Sequence, residues 1–178
     1  MISWKNHFLY QADYQHWASD KLFESLDKLS DEARKRDEGL FFKSVHGTVN
    51  HLLVTNLLWW GRLRGEPQDL RPDQQLYEDW RELKQALKQT LRQTQHWLQA
   101  QPADFFEGEL RYRTTSGKEH TLWVHDILTH IATDCAHQRG QASAAATRLG
   151  APAPEMDYSY YRREMQDSLA NARVAANG

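Results

Sequence analysis

Cysteine is nearly missing from this chain: Cys135 stands alone among 178 residues, so no internal disulfide can staple the fold and a disulfide-built secreted domain is not expected. No basic apolar leader precedes Trp4, and the expected location is cytoplasmic. Long hydrophobic runs are missing too. The longest apolar stretch, Leu52 to Trp60, is broken by Thr55 and Asn56. It falls far short of the roughly 20 residues that cross a bilayer, which excludes an integral membrane protein, and a mean hydropathy of -0.80 agrees. Neither sign of charge dominates. The 22 Lys and Arg are interleaved with 24 Asp and Glu for a formal net charge of -2, which leaves no basic field to hold a phosphate backbone and disfavours general nucleic-acid binding. No period of 20 to 50 residues repeats, and no linker splits the chain into two cores.

Core-forming material is plentiful. Apolar residues make up 40%, and seven Trp, seven Tyr and six Phe are too many for a disordered protein. One domain over 1–170 is expected, with 171–178 as a flexible tail. Nine histidines against one cysteine mean that any transition-metal site would be built from imidazole and oxygen ligands.

Apolar spacing predicts a first helix from Trp4 to Leu29, ending near Ser30, and then a charged connection over Asp31 to Leu40. Ser44 is placed to cap a second helix that runs to Arg64, before Gly65 and Pro67. A third helix is expected from Asp73 to Gln101, stopped by Pro102. The Glu109 to Arg113 alternation, followed by Thr114-Thr115-Ser116-Gly117, reads as a small hairpin. A fourth long helix from about Leu122 to Leu149 ends at Gly150, and a short C-terminal helix follows Asp157. The expected class is all-α, with four long helices forming a bundle.

Projecting the second helix at about 100° per residue leaves it apolar almost all round, apart from a narrow stripe of Thr48, His51, Thr55 and Arg62. Such a stripe on a mostly buried helix suggests an internal cleft, although a histidine hydrogen-bonded at the core edge would look the same. His46 falls about 140° from His51 and is not expected to chelate with it. On the fourth helix, Asp134 and Gln138 stack four residues apart at the edge of the core face, with His130, His137 and Gln141 on the adjoining strip. Buried polar groups need partners, and the arrangement fits either a metal site or a hydrogen-bonded network. Gly140 and the alanines after it allow another helix to approach closely, and Cys135 on the core face reads as a packed hydrophobe rather than a nucleophile.

Three stretches together resemble the DinB (damage-inducible) family, within the wider DinB/YfiT-like metalloenzyme superfamily. They are Tyr14-Gln15-His16-Trp17-Ala18 with Leu26-Asp27-Lys28-Leu29-Ser30; Ser44 to Leu53 with Trp59 or Trp60 and Arg62-Leu63; and His130 to Gly150, containing Arg139-Gly140-Gln141. The resemblance implies a four-helix bundle with a long crossover and a divalent metal, nickel or zinc, held by three histidines. One of these falls on His51. The other two positions are occupied here by Asp134 and Gln138; a carboxylate can serve as a ligand, but a neutral amide oxygen is a poor one for zinc or nickel, so the metal is expected to be weakly held or absent. His130 and His137 are candidates for a rearranged site or for supporting hydrogen bonds.

The resemblance points to a metal-dependent hydrolase or low-molecular-weight thiol S-transferase acting on a small molecule, with Arg62, Arg139 and Gln141 as substrate or anion contacts. The alternative is a non-catalytic, stress-associated bundle that binds a small ligand or partner without a tightly held metal. Bundles of this family often pair, so a homodimer is compatible with either reading. His7, His16, His96, His120 and His125 have no stronger claim than surface or packing.

Overall fold

The computed structural model describes residues 3–177. In chain order the elements are α1 (Trp4–Leu26), α2 (Asp31–Lys35), α3 (Val45–Arg64), α4 (Trp80–Ala100), a 3-10 turn (Ala103–Glu107), β1 (Glu109–Arg113), β2 (Glu119–Trp123), α5 (Val124–Arg148) and α6 (Tyr158–Asn177). The protein is mostly helical with one antiparallel hairpin, as the sequence pattern predicts. Helix starts follow side-chain chemistry: Ser3, Ser30, Ser44 and Asp79 each accept a hydrogen bond from the backbone N–H three residues on. Gly65 closes α3 in the left-handed conformation, at φ 72.

Several boundaries differ from expectation, each for a local reason. α1 stops at Leu26, and the charged connection contains α2, whose acids Asp31 and Glu32 sit in its first turn and whose Arg34 and Lys35 sit in its last, in keeping with the helix dipole. The third long helix, α4, starts at Trp80 and not at Asp73. Buried Asn50 has claimed the backbone upstream: its Oδ1 accepts from the amides of Leu76 (2.8 Å) and Tyr77 (3.1 Å), and its Nδ2 donates to the Tyr77 carbonyl. His46 bonds the same carbonyl at 2.9 Å. The fourth long helix, α5, starts at Val124 because Leu122 and Trp123 pair with Leu110 and Glu109 in the hairpin. α6 is not short; it runs for 20 residues, and its helical backbone enters the 171–178 stretch.

α1 and α3 each pack against both α4 and α5, and α6 lies on α1. The apolar interior forms two clusters. One gathers Leu22, Leu26, Val45, Val49, Leu83 and Leu87; the other gathers Phe8, Leu63, Leu98, Phe106 and Ile127. Gln15, Asn56 and Arg139 are buried polar residues on three of the long helices. No helix among the described residues is long and apolar enough to cross a membrane.

Candidate functional site

Two contacts set the register of α3 against α5. The Trp59 ring meets His130 edge-on with centroids 5.2 Å apart, and Asn56 Nδ2 donates to Cys135 Sγ at 3.4 Å. Moving back along α3 therefore means moving forward along α5, so the helices are antiparallel. Stepping one turn at a time from the Trp59–His130 contact puts Thr55 at the level of Asp134 and then His51 at the level of Gln138. The register puts the α3 stripe and the α5 strip at matching levels, but the partners of His51 are Pro72, Thr55 and Phe42, and Asp134 and Gln138 meet each other and not His51.

His51 is half-buried and its ring is fixed on three sides. Nδ1 lies 2.7 Å from the Pro72 carbonyl oxygen, Nε2 lies 3.2 Å from Thr55 Oγ1, and the face stacks on Phe42 with centroids 3.7 Å apart. A carbonyl can only accept, so Nδ1 carries the proton and Nε2 presents its lone pair, to which the Thr55 hydroxyl donates. The ring opens on a cleft of about 280 Å³ that is also lined by Lys43, Asp73 and Gln75.

On α5, Asp134 is half-buried and its Oδ1 accepts from Gln138 Nε2 at 3.4 Å. Gln138 is 6% exposed, and its Oε1 is buried without a partner. An orphaned buried acceptor costs about 1–3 kcal/mol. Among the described residues no three of His, Cys, Asp and Glu are grouped to hold a metal ion. The three positions that the family pattern nominates offer one imidazole nitrogen, one carboxylate and one amide oxygen. That chemistry suits an oxygen-preferring divalent ion such as Mn²⁺, and it does not suit the three-imidazole nickel or zinc centre that the family pattern implies.

The remaining candidates separate. His130 is exposed and packs on Trp59, while His137 is exposed and takes a hydrogen bond from Gln141 Nε2 at 2.6 Å. Arg62 is half-buried with its guanidinium over the rings of Trp59 (4.5 Å) and Tyr112 (5.3 Å); burial pulls its pKa down, and the Tyr112 hydroxyl is what opposes that. Arg139 is 2% exposed, donates to Gln15 Oε1 and lies 5.4 Å from the Tyr14 ring, so it belongs to the interior and does not form a surface ion pair. Cys135 is fully buried and burial pushes its thiol up, as befits a packed side chain.

Sequence reasoning missed Phe42, Pro72, Gln15 and Asn50. Asn50 carried a usable signal, a short polar residue on a helix apolar almost all round. The Pro72 carbonyl carried none, since a backbone acceptor has no residue-type signature.

The DinB family model matches residues 4–169, nearly the whole chain. Neither the curated proteins nor the solved structures contain a match.

Proposed function

The chain belongs to the DinB family, and from that premise we propose that it is a metal-dependent protein of small-molecule chemistry, of the hydrolase or thiol S-transferase type, centred on the α3/α5 seam. The four long helices are read as the family's four-helix bundle, with residues 65–79 in the long crossover. His51 would offer Nε2, Asp134 a carboxylate oxygen and Gln138 its unpaired Oε1. A bound divalent ion supplies positive charge that lowers the pKa of a water or thiol. The chain's own part is to hold the donors: Pro72 sets the tautomer of His51, and Phe42 restrains the ring.

The observation that carries this reading is the His51 Nδ1 to Pro72 contact, because a histidine whose Nδ1–H is bound to a carbonyl keeps Nε2 available as a ligand. Metal analysis after incubation with Mn²⁺, Ni²⁺ or Zn²⁺ tests it. Stoichiometric but weak uptake is expected, favouring Mn²⁺ relative to what three imidazoles would hold, and lost in His51→Ala and Asp134→Ala. Gln138→His should tighten nickel or zinc at least about tenfold. No uptake of any of the three ions by the unaltered protein would overturn the proposal.

A second reading has its own support: Thr55 already engages Nε2 of His51, and Gln138 already donates to Asp134. A closed network of this kind fits a non-catalytic bundle that binds a small ligand with no resident metal. Binding of a small ligand unchanged by metal removal or by Asp134→Ala would favour it.

A further inference from the structure

A cleft lies beside the one that holds His51, between the loop after α3 and the β1–β2 hairpin. It has two arms, of about 290 Å³ and about 600 Å³, and Arg62, Pro67 and Arg113 line both. Pro72, whose carbonyl fixes His51, lines the larger arm and also the His51 cleft. Its walls carry Arg62, Arg71, Arg111 and Arg113 against the carboxylates of Glu119 and Asp69. The local excess is positive on a chain whose net charge is -2.

The charges are not neutralised in place. Glu119 is shared by two arginines, accepting from Arg111 Nη2 and from Arg113 Nη2 at 2.8 Å, so one carboxylate answers two guanidinium groups. Arg71 is paired loosely with Asp73 at 3.4 Å, both well exposed. Arg62 has no carboxylate or hydrogen-bond acceptor in reach among the described residues; its guanidinium is held by the rings of Trp59 and Tyr112. Stacking of this kind orients a guanidinium without using its N–H edges, which suit the two oxygens of a carboxylate or phosphate. Arg62 is half-buried on its stacked faces, none of its N–H groups is among the buried unpartnered atoms, and it lines the cleft, where an anion can take its donors. The C-terminal end of α3 carries the negative pole of that helix, which an anion would not seek by itself, so the arginines must supply the attraction.

We infer that this cleft binds the phosphate or carboxylate group of a small molecule, with Arg62 as the oriented anchor and Arg113 as the second. The site does not depend on a metal at the α3/α5 seam. Through Pro72 it sits beside the segment that holds His51, so a molecule anchored here by its anionic group would extend toward the His51 cleft.

Titration of the full chain with inorganic phosphate and, separately, with citrate at constant ionic strength, followed by amide NMR shifts, tests the inference. Saturable shifts centred on Arg62, Gly65 to Pro72 and Arg111 to Ser116 are expected, with Kd on the order of 1 mM or below for at least one of the two anions. Phosphate-only binding assigns a phosphoryl group, citrate-only binding a carboxylate, and binding of both the chemistry they share. Arg62→Gln and the exposed hairpin variant Arg113→Gln should each weaken binding about tenfold. Arg64→Gln should not, because Arg64 lies outside the cleft and pairs with Glu66. If Arg62→Gln fails to fold, Arg113→Gln carries the test alone. No saturable shift with either anion, or equal weakening by Arg64→Gln, would overturn the proposal and leave the metal reading untouched.

Discussion

A buried guanidinium whose hydrogen-bond partner is an amide is the sharpest case of one side chain depending on another in this protein. Arg139 donates to Gln15 Oε1 and stacks near Tyr14, while its Nη2 and the Nε2 of Gln15 are buried without partners. A neutral acceptor repays little of the cost of taking a cation out of water, so the Gln15 oxygen cannot be removed cheaply. Gln15→Leu keeps the volume and deletes that oxygen, and it should destabilise the fold by about 2 kcal/mol or more, read as a lower urea midpoint at unchanged m-value. The pair also marks a limit of sequence reading. The family resemblance makes Arg139 a candidate substrate or anion contact, whereas its partner is Gln15, 124 positions away, and no local pattern connects α1 to α5 at that point. The same holds for His51. Helical projection was enough to single it out, while the Pro72 carbonyl that decides its tautomer came from the connection between α3 and α4, which has no periodicity.

Elements were legible where a helix carries its own cap and its own apolar stripe. Ser44 and Gly65 bound α3, and the stripe of α4 from Leu83 to Leu98 faces the core as its spacing predicts. Boundaries failed where another element took the backbone: Asn50 holds residues 76 and 77 out of α4, and β1 holds 122 and 123 out of α5. The junction of α1 with α4 makes a testable link of this kind. Asp27, just after α1, accepts from Trp80 Nε1 (2.7 Å) and from Lys84 Nζ (2.7 Å) at the start of α4. Partial burial pushes the Asp27 carboxyl up, but the bonds from Lys84 and Trp80 outweigh it and hold the group below the ordinary aspartate value of 3.8. A carboxyl with a depressed folded pKa contributes stability above its unfolded pKa and loses it as pH falls through the folded one. Asp27→Asn should therefore be less stable near neutral pH, by under about 1 kcal/mol given that its side chain is 42% exposed. The gap from the unaltered protein should close as pH falls below 3.8. Urea midpoints measured near neutrality and at about pH 3 check both the sign and the window; a gap that widens in acid would refute the link.

For the molecule as a whole, the open issue is whether two apolar clusters behave as one core. They draw on the same four long helices, and Ile131 packs against both. Polar Gln15, Asn56 and Arg139 are buried alongside them, and polar groups in a core can weaken coupling where they are incompletely paired. Continuity of the helices argues the other way: neither cluster can come apart without ending the packing of segments that continue into the other, so unfolding should be a single cooperative transition. Leu83 and Ile127 are both fully buried, one in each cluster. Leu83→Ala and Ile127→Ala should each cost about 2–5 kcal/mol. Each should shift one sigmoidal urea transition, followed by circular dichroism and by tryptophan fluorescence, without separating the two signals. The costs should nearly add in the double variant, since the two sites share no buried partner at close range. A transition that splits into two steps in Ile127→Ala alone would mean that the end bearing the hairpin folds semi-independently. The anion cleft, which is built on that end, would then sit on a separately adjustable platform and not on the rigid frame that the shared helices imply.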